Sequence, residues 1–219
     1  GKAENVNILL GRYFARYPMS LDRSSISSRV SALFASHFFG VGLFLPFIPV
    51  VLGFRGLTAA EIGFVLGIGT IARIAASPLL SNLSDRTGQR RLSILIYSLA
   101  AATFIGLYFL PLGLVFLSIA VIGYMVMNAP VVPLSDAYAL DVQRNTGADY
   151  ARMRLWGSAG FVVASIFGGS LAAEGTSWLI VVSVGLASLA TGAVAMSLPR
   201  QKRGATPSEA ADGTSDDHK

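Results

Sequence analysis

Apolar residues along this chain gather into runs of about 20, long enough for a helix to cross a bilayer's hydrocarbon. The runs are Ser31 to Leu52, Ala59 to Leu80, Leu92 to Leu110, Gly113 to Ser135, Leu155 to Ala173 and Ser177 to Leu198. None alternates with the period of a strand, and all exceed the length of a buried strand, so the pattern predicts six membrane-spanning helices. Polar residues cluster between the runs and at the two ends of the chain. The organisation expected is therefore a leader over 1–29, a six-helix bundle over 30–198 and a disordered tail or linker over 199–219, whose Gly, Ser, Pro and acidic residues cannot bury a core. The leader's apolar patch, Val6 to Leu10, is too short for a signal peptide, and Met19 is the expected natural start.

Composition sharpens this picture. Of the 219 residues 53% are hydrophobic and 13% charged, about half the charge of an ordinary soluble domain, and the mean hydropathy is +0.61. With no cysteine and only His37 and His218 as imidazoles, thiolate and most metal chemistry is excluded, and no metal or cofactor is expected. The net charge of +5 could suggest nucleic acid, but its placement argues for membrane orientation instead. Fifteen of the 17 basic residues lie in the leader, the second-to-third loop, the fourth-to-fifth loop and the tail, all on one side. Arg55 stands on the other side, and Arg73 lies inside a span. Basic loops stay cytoplasmic, so a multi-pass protein of the cell (inner) membrane with both termini inside is expected.

The first and fourth runs share an interruption: Gly42-Leu43-Phe44-Leu45-Pro46-Phe47-Ile48-Pro49 against Met127-Asn128-Ala129-Pro130-Val131-Val132-Pro133. Proline removes a backbone donor and bends a helix, which a membrane tolerates where neighbours or a water-lined cavity satisfy the freed carbonyl. Paired interruptions in corresponding halves point to an inverted repeat around a substrate pathway. The second and fifth runs add Gly63-Phe64-Val65 and Gly160-Phe161-Val162. Between the second and third runs, Ser81-Asn82-Leu83-Ser84-Asp85-Arg86-Thr87-Gly88-Gln89-Arg90-Arg91 is a tight charged turn, with Gly88 suited to positive φ. Asp85 can pair with arginine as a latch, or the loop can be simply solvated.

That loop resembles the signature of the major facilitator superfamily, Gly-x-Leu-x-Asp-Arg-x-Gly-Arg-Arg, through Leu83, Asp85, Arg86, Gly88 and Arg90, with Arg91 following in the same conformational-switch loop. Ser81 and Gln89 depart from it. The segments Pro130 to Ala137 and Asp149 to Phe161, with Arg152-Met153-Arg154-Leu155-Trp156-Gly157-Ser158 at their centre, are similar to the phenylpropionate-permease-like branch and to nucleoside–proton symporters. The resemblance implies an all-α bundle of six transmembrane helices with a 3+3 inverted repeat, forming the N-terminal half of a secondary transporter. It further implies proton-coupled uptake of a small organic solute through a cavity completed by a second six-helix half, either missing from this chain or supplied by another copy.

Ionisable residues within a span cost about 2.5 to 3.5 kcal/mol and need a partner or a purpose. Arg73 can bind a carboxylate with both arms of its guanidinium, snorkel, or pair with Asp136. Asp136 can carry a proton or hold a fixed ion pair, with Arg73 or Arg154 beside it. His37 can transfer protons or simply bond two helices together. Tyr124 and Asn128, one turn apart, form the expected substrate wall. Arg152 and Arg154 read as anchors at the membrane surface, and Glu61, Glu174, Trp156 and Trp178 as caps and interfacial residues. Two rivals stand beside transport. One is an intramembrane serine hydrolase using Ser158, which lacks a histidine at matching depth. The other is a non-transporting scaffold packed through its Gly-rich fifth and sixth helices.

Overall fold

A computed structural model describes residues 23–110 and 113–200. Its helices are α1 (Arg23–Phe54), α2 (Ala59–Thr87), α3 (Arg90–Gly106), α4 (Leu114–Asn128), α5 (Val131–Thr146), α6 (Tyr150–Ala173) and α7 (Ser177–Ser197), with a 3₁₀ turn at Leu107–Phe109. The fourth apolar run supplies both α4 and α5, so six spans are long and apolar enough to cross a membrane. The expected all-α, six-span architecture is what the chain adopts. Residues before 23 and after 200, including Met19 and most of the expected tail, lie outside the described residues.

The helices overrun their apolar runs chiefly at the end that bears the basic loops. There α1 begins at Arg23, inside the segment read as leader, α2 continues to Thr87, α5 runs on to Thr146 and α6 starts at Tyr150. Hydropathy marks only what sits in hydrocarbon, whereas these extra turns are amphipathic: Ile26, Val30, Tyr138 and Val142 are buried beneath polar neighbours. Their ends are capped by local chemistry. The Asp149 carboxylate accepts from the backbone N–H of Ala151 at 2.9 Å, and Gly88 and Gly147 end α2 and α5 in the left-handed conformation, both at φ 67°. At the opposite end Thr58 and Glu61 form a reciprocal capping box that starts α2.

Packing follows the repeat. The most extensive pairings are α1 with α6, α1 with α7, α3 with α7, α2 with α4, and α3 with α4. Exchanging the first three spans for the last three turns α1/α6 into the α4/α2 pair, turns α1/α7 into α4/α3, and returns α3/α7 to itself. Because the first span leaves the basic end and the fourth returns to it, the two triplets run inverted, as a 3+3 repeat requires.

Two apolar clusters fill the bundle, one toward each end. Leu43, Phe44, Ile48, Val65, Tyr124 and Val181 belong to the first, and Ile26, Phe34, Ile94, Leu134, Tyr138 and Met153 to the second. Met127, just before the α4–α5 break, packs against both. At the basic end, three donors converge on the carbonyls that α7 leaves open: Arg29 on Ser197, Arg91 on Leu198 at 2.9 Å and Tyr138 on Pro199 at 3.0 Å.

Candidate substrate site at the seam of α2 and α4

Residues four apart on a helix lie above one another, so Gly69, Arg73 and Ser77 form one stripe on α2. That stripe meets α4. A Cβ at Gly69 would stand 2.5 Å from the Met125 sulfur, and the Ser77 hydroxyl reaches the Ala129 carbonyl at 3.5 Å. Arg73, between them, is exposed and lies within Coulombic range of the Tyr124 hydroxyl. It is the middle residue of α2, and about 18 Å of helix separate it from Asp85 in the charged loop. Tyr124 itself is buried, with its ring 4.3 Å from that of Phe44, while Asn128 is half-buried as the last residue of α4. The seam thus presents a guanidinium in the basic-end half of the second span, beside the polar end of α4, where the helical backbone is broken at Ala129–Pro130.

Asp136 goes elsewhere. The expected pairing of Asp136 with Arg73 is not formed: the Asp136 carboxylate accepts from Arg154 at 2.5 Å and from the Tyr150 hydroxyl at 3.0 Å. The reason is local. Pro130 starts α5 as a new helix, and the short turn to α6 brings Asp136 against the first turn of α6, where Tyr150 and Arg154 share a face. Arg154 is also stacked over Phe34 and Phe38, with 5.4 and 5.2 Å to the ring centroids. Arg154 is therefore an internal partner as well as a surface anchor, a role that the spacing of Tyr150 and Arg154 one turn apart could have signalled. His37 is buried, set edge-on to Phe38 at 5.5 Å and within Coulombic range of Arg154. The structure thus gathers His37, Asp136 and Arg154 into one neighbourhood, apart from the Arg73 seam.

The charged loop closes a second network. Arg90 binds Asp85 at 2.9 Å and Asp141 at 2.5 Å, and Asp141 also faces Arg144 at 3.8 Å. Gly88 has the positive φ expected of it, and Leu83 is exposed. Asp141 was not singled out in the sequence because α5 extends past the apolar run. Its clue is helical spacing: Leu134, Tyr138, Asp141 and Val142 fall on one face. Ser81, in place of the signature's leading glycine, buries a hydroxyl with no hydrogen-bond partner among the described residues.

The proline segments resolve differently. Helix α1 is continuous through Pro46 and Pro49, whereas the fourth span breaks, with Pro130 at the N-cap of α5 and Pro133 in its first turn. Glycine matching also shifts. Gly63 has open space around its Cβ position, while Gly69 and Gly160 each stand ten residues after the first residue of their helices and lie at close crossings.

An inverted-repeat bundle of six apolar helices with a charged turn between the second and third spans defines a multi-pass membrane protein. A family model described as the MFS_1 like family matches residues 29–215, and the chain belongs to that family. It is 35% identical over 174 residues to the "Probable 3-phenylpropionic acid transporter" of Escherichia coli K12, covering 76% of this chain and 45% of that protein. It is 32% identical over 170 residues to the "Maltose permease" of Geobacillus stearothermophilus, covering 77% and 43%. An uncharacterized transporter, YwbF of Bacillus subtilis 168, is 29% identical over 129 residues, covering 58% and 32%. The matched region thus spans less than half the length of each of these relatives. No solved structure gives a significant match. These relatives are transporters and permeases, so the chain groups with transport proteins and not with hydrolases.

Proposed function

We propose that this chain is one six-helix half of a secondary transporter for a small organic carboxylate, with Arg73 as the group that binds the anion. The carrying observation is the exposed guanidinium at the middle of α2, beside Tyr124 and next to the α4 terminus at Asn128. A guanidinium offers two parallel donors to a carboxylate, and within the span that pairing offsets the cost of both charges. The 3-phenylpropionic acid named for one relative is an aromatic carboxylate, the maltose of another is neutral, and the nucleosides suggested by sequence resemblance lack a carboxylate.

In this reading a second six-helix unit, on the same polypeptide or another copy, covers the exposed apolar faces of α2 (Phe64, Ile71, Ile74) and α6 (Val162, Val163, Ile166). Both described ends of the bundle then face the cytoplasm, a reading that the basic loops support. Uptake is coupled to protons, and His37 and Asp136 are the groups to test for that coupling.

The test is uptake of radiolabelled 3-phenylpropionate, maltose and uridine by the complete protein in proteoliposomes, with and without an inward proton gradient. Carboxylate uptake that is lost in Arg73→Ala, and only partly restored in Arg73→Lys, supports the assignment. Maltose or uridine uptake insensitive to Arg73→Ala overturns it. Asp136→Asn that folds and transports with unchanged gradient dependence leaves Asp136 as the fixed partner of Arg154.

A further inference from the structure

Serine and threonine hydroxyls inside a helix ordinarily bond back to a carbonyl of their own helix, three or four residues earlier. Thr70, Ser84, Thr103, Ser118, Ser188 and Thr191 all do so here. Among the described residues, two serines reach the backbone of another helix. Ser165 of α6 donates to the carbonyl of Gly42 in α1 at 3.4 Å, and Ser77 of α2 donates to that of Ala129 at 3.5 Å.

The two acceptors are special for one reason. A proline at position i has no N–H for the carbonyl at i−4. Pro46 therefore frees Gly42, and Pro133 frees Ala129. Each freed carbonyl faces the helix that packs most closely on its span. Gly42 permits the approach, since a Cβ there would stand 2.6 Å from the Phe161 carbonyl oxygen. The carbonyls freed by Pro49 and Pro78 belong to Leu45 and Ile74, which are both exposed. Pro130 also frees a carbonyl, that of half-buried Val126, which accepts the Ala129 N–H at 3.4 Å, so hydroxyls answer Gly42 and Ala129, and the two donors sit on the pair of helices that the inverted repeat exchanges. Both bonds are long, and Ser165 can give up Gly42 while keeping its bond to Phe161 of its own helix at 2.9 Å.

We propose that Ser77 and Ser165 are paired positioning residues whose hydroxyls hold the proline-freed carbonyls of Ala129 and Gly42, and that release of these bonds lets the fourth and first spans flex during the transport cycle. The link to transport rests on the transporter reading above, whereas the hold on local backbone opening does not.

Hydrogen exchange of the complete protein in lipid nanodiscs reads the hold directly. Ser165→Ala is expected to speed exchange of the Phe47, Ile48 and Val50 amides by about two- to tenfold, as loss of one modest hydrogen bond allows, leaving residues 131–137 unchanged. Ser77→Ala is expected to do the reverse. Threonine at either position keeps the hydroxyl and restores protection. If one alanine variant fails to fold, the cysteine variant at that position, a weak donor, is expected to give an intermediate rate confined to the same segment. In uptake assays the alanine variants are expected to change kcat by a similar factor with KM unchanged. Exchange that is unaltered, or that rises equally in all helices and is not rescued by threonine, overturns the proposal. Wild-type protein that moves no solute while the local exchange changes persist would sink the transporter reading and leave the backbone hold intact.

Discussion

The α1/α6 and α2/α4 seams are the same crossing built twice, yet they are closed by different materials. At α1/α6 backbone meets backbone: a Cβ at Gly160 would stand 2.6 Å from the Ala35 carbonyl oxygen, and one at Gly42 2.6 Å from that of Phe161. At α2/α4 the equivalent glycine, Gly69, faces the sulfur of Met125, the far end of a flexible side chain. The first seam leaves no room for adjustment at Gly42 and Gly160, although Gly157 and Gly168 face the rings of Phe38 and Phe47, and the second can repack at Gly69. The adaptable seam is also the one that carries Arg73. A repeat can therefore close one copy on rigid backbone and the other on an adjustable side chain.

Substitutions can break this contrast, beginning with the largest effect. Gly160→Leu must push two backbones apart and is expected to cost about 3 kcal/mol, read as loss of the monodisperse peak and of the thermal transition in detergent. Gly69→Ala tests the other seam with the smallest possible addition. Because the Met125 side chain can move, a cost of about 1 kcal/mol or less is expected, and a loss as severe as that of Gly160→Leu would erase the distinction. Arg154→Ala, at the start of α6, removes a partly exposed ion pair together with two ring contacts, and a loss of about 1 kcal/mol is expected in the same thermal assay. The smallest change in stability is expected for Arg73→Ala. Its side chain is exposed, so the melting curve should move by less than about 0.5 kcal/mol equivalent while carboxylate uptake disappears.

The spans were legible because hydrocarbon imposes a length and a composition on each, and the repeat because proline spacing survives as a pattern. Less legible was everything outside hydrocarbon. Asp141 and the second half of α5 sit on an amphipathic extension that a search for apolar runs passes over, and with it went the partner of Arg90. Arg154 was legible as a surface anchor and as one of two arginines that could stand beside Asp136. Its distinction is that Asp136 and the rings of Phe34 and Phe38 converge on it, which only the fold can arrange. The pairing expected between Arg73 and Asp136 failed for a related reason. Two opposite charges near neighbouring spans attract on paper, but the break at Pro130 sends the carboxylate toward α6. Ser77 and Ser165 were invisible as a pair because arithmetic on proline positions names the freed carbonyls without naming who answers them.

The overrun of the helices at the basic end bears on the shape the molecule imposes on its lipids. From the edge of the apolar run, α1 extends eight residues, α2 seven and α5 eleven, or roughly 12, 10 and 16 Å, whereas the opposite ends overrun by two residues at most. Embedded in a bilayer, the bundle therefore displaces more area among the headgroups of one leaflet than of the other. Its two faces thus meet headgroups and water unequally, with the helical surface beyond the hydrocarbon concentrated on the side that bears the basic loops.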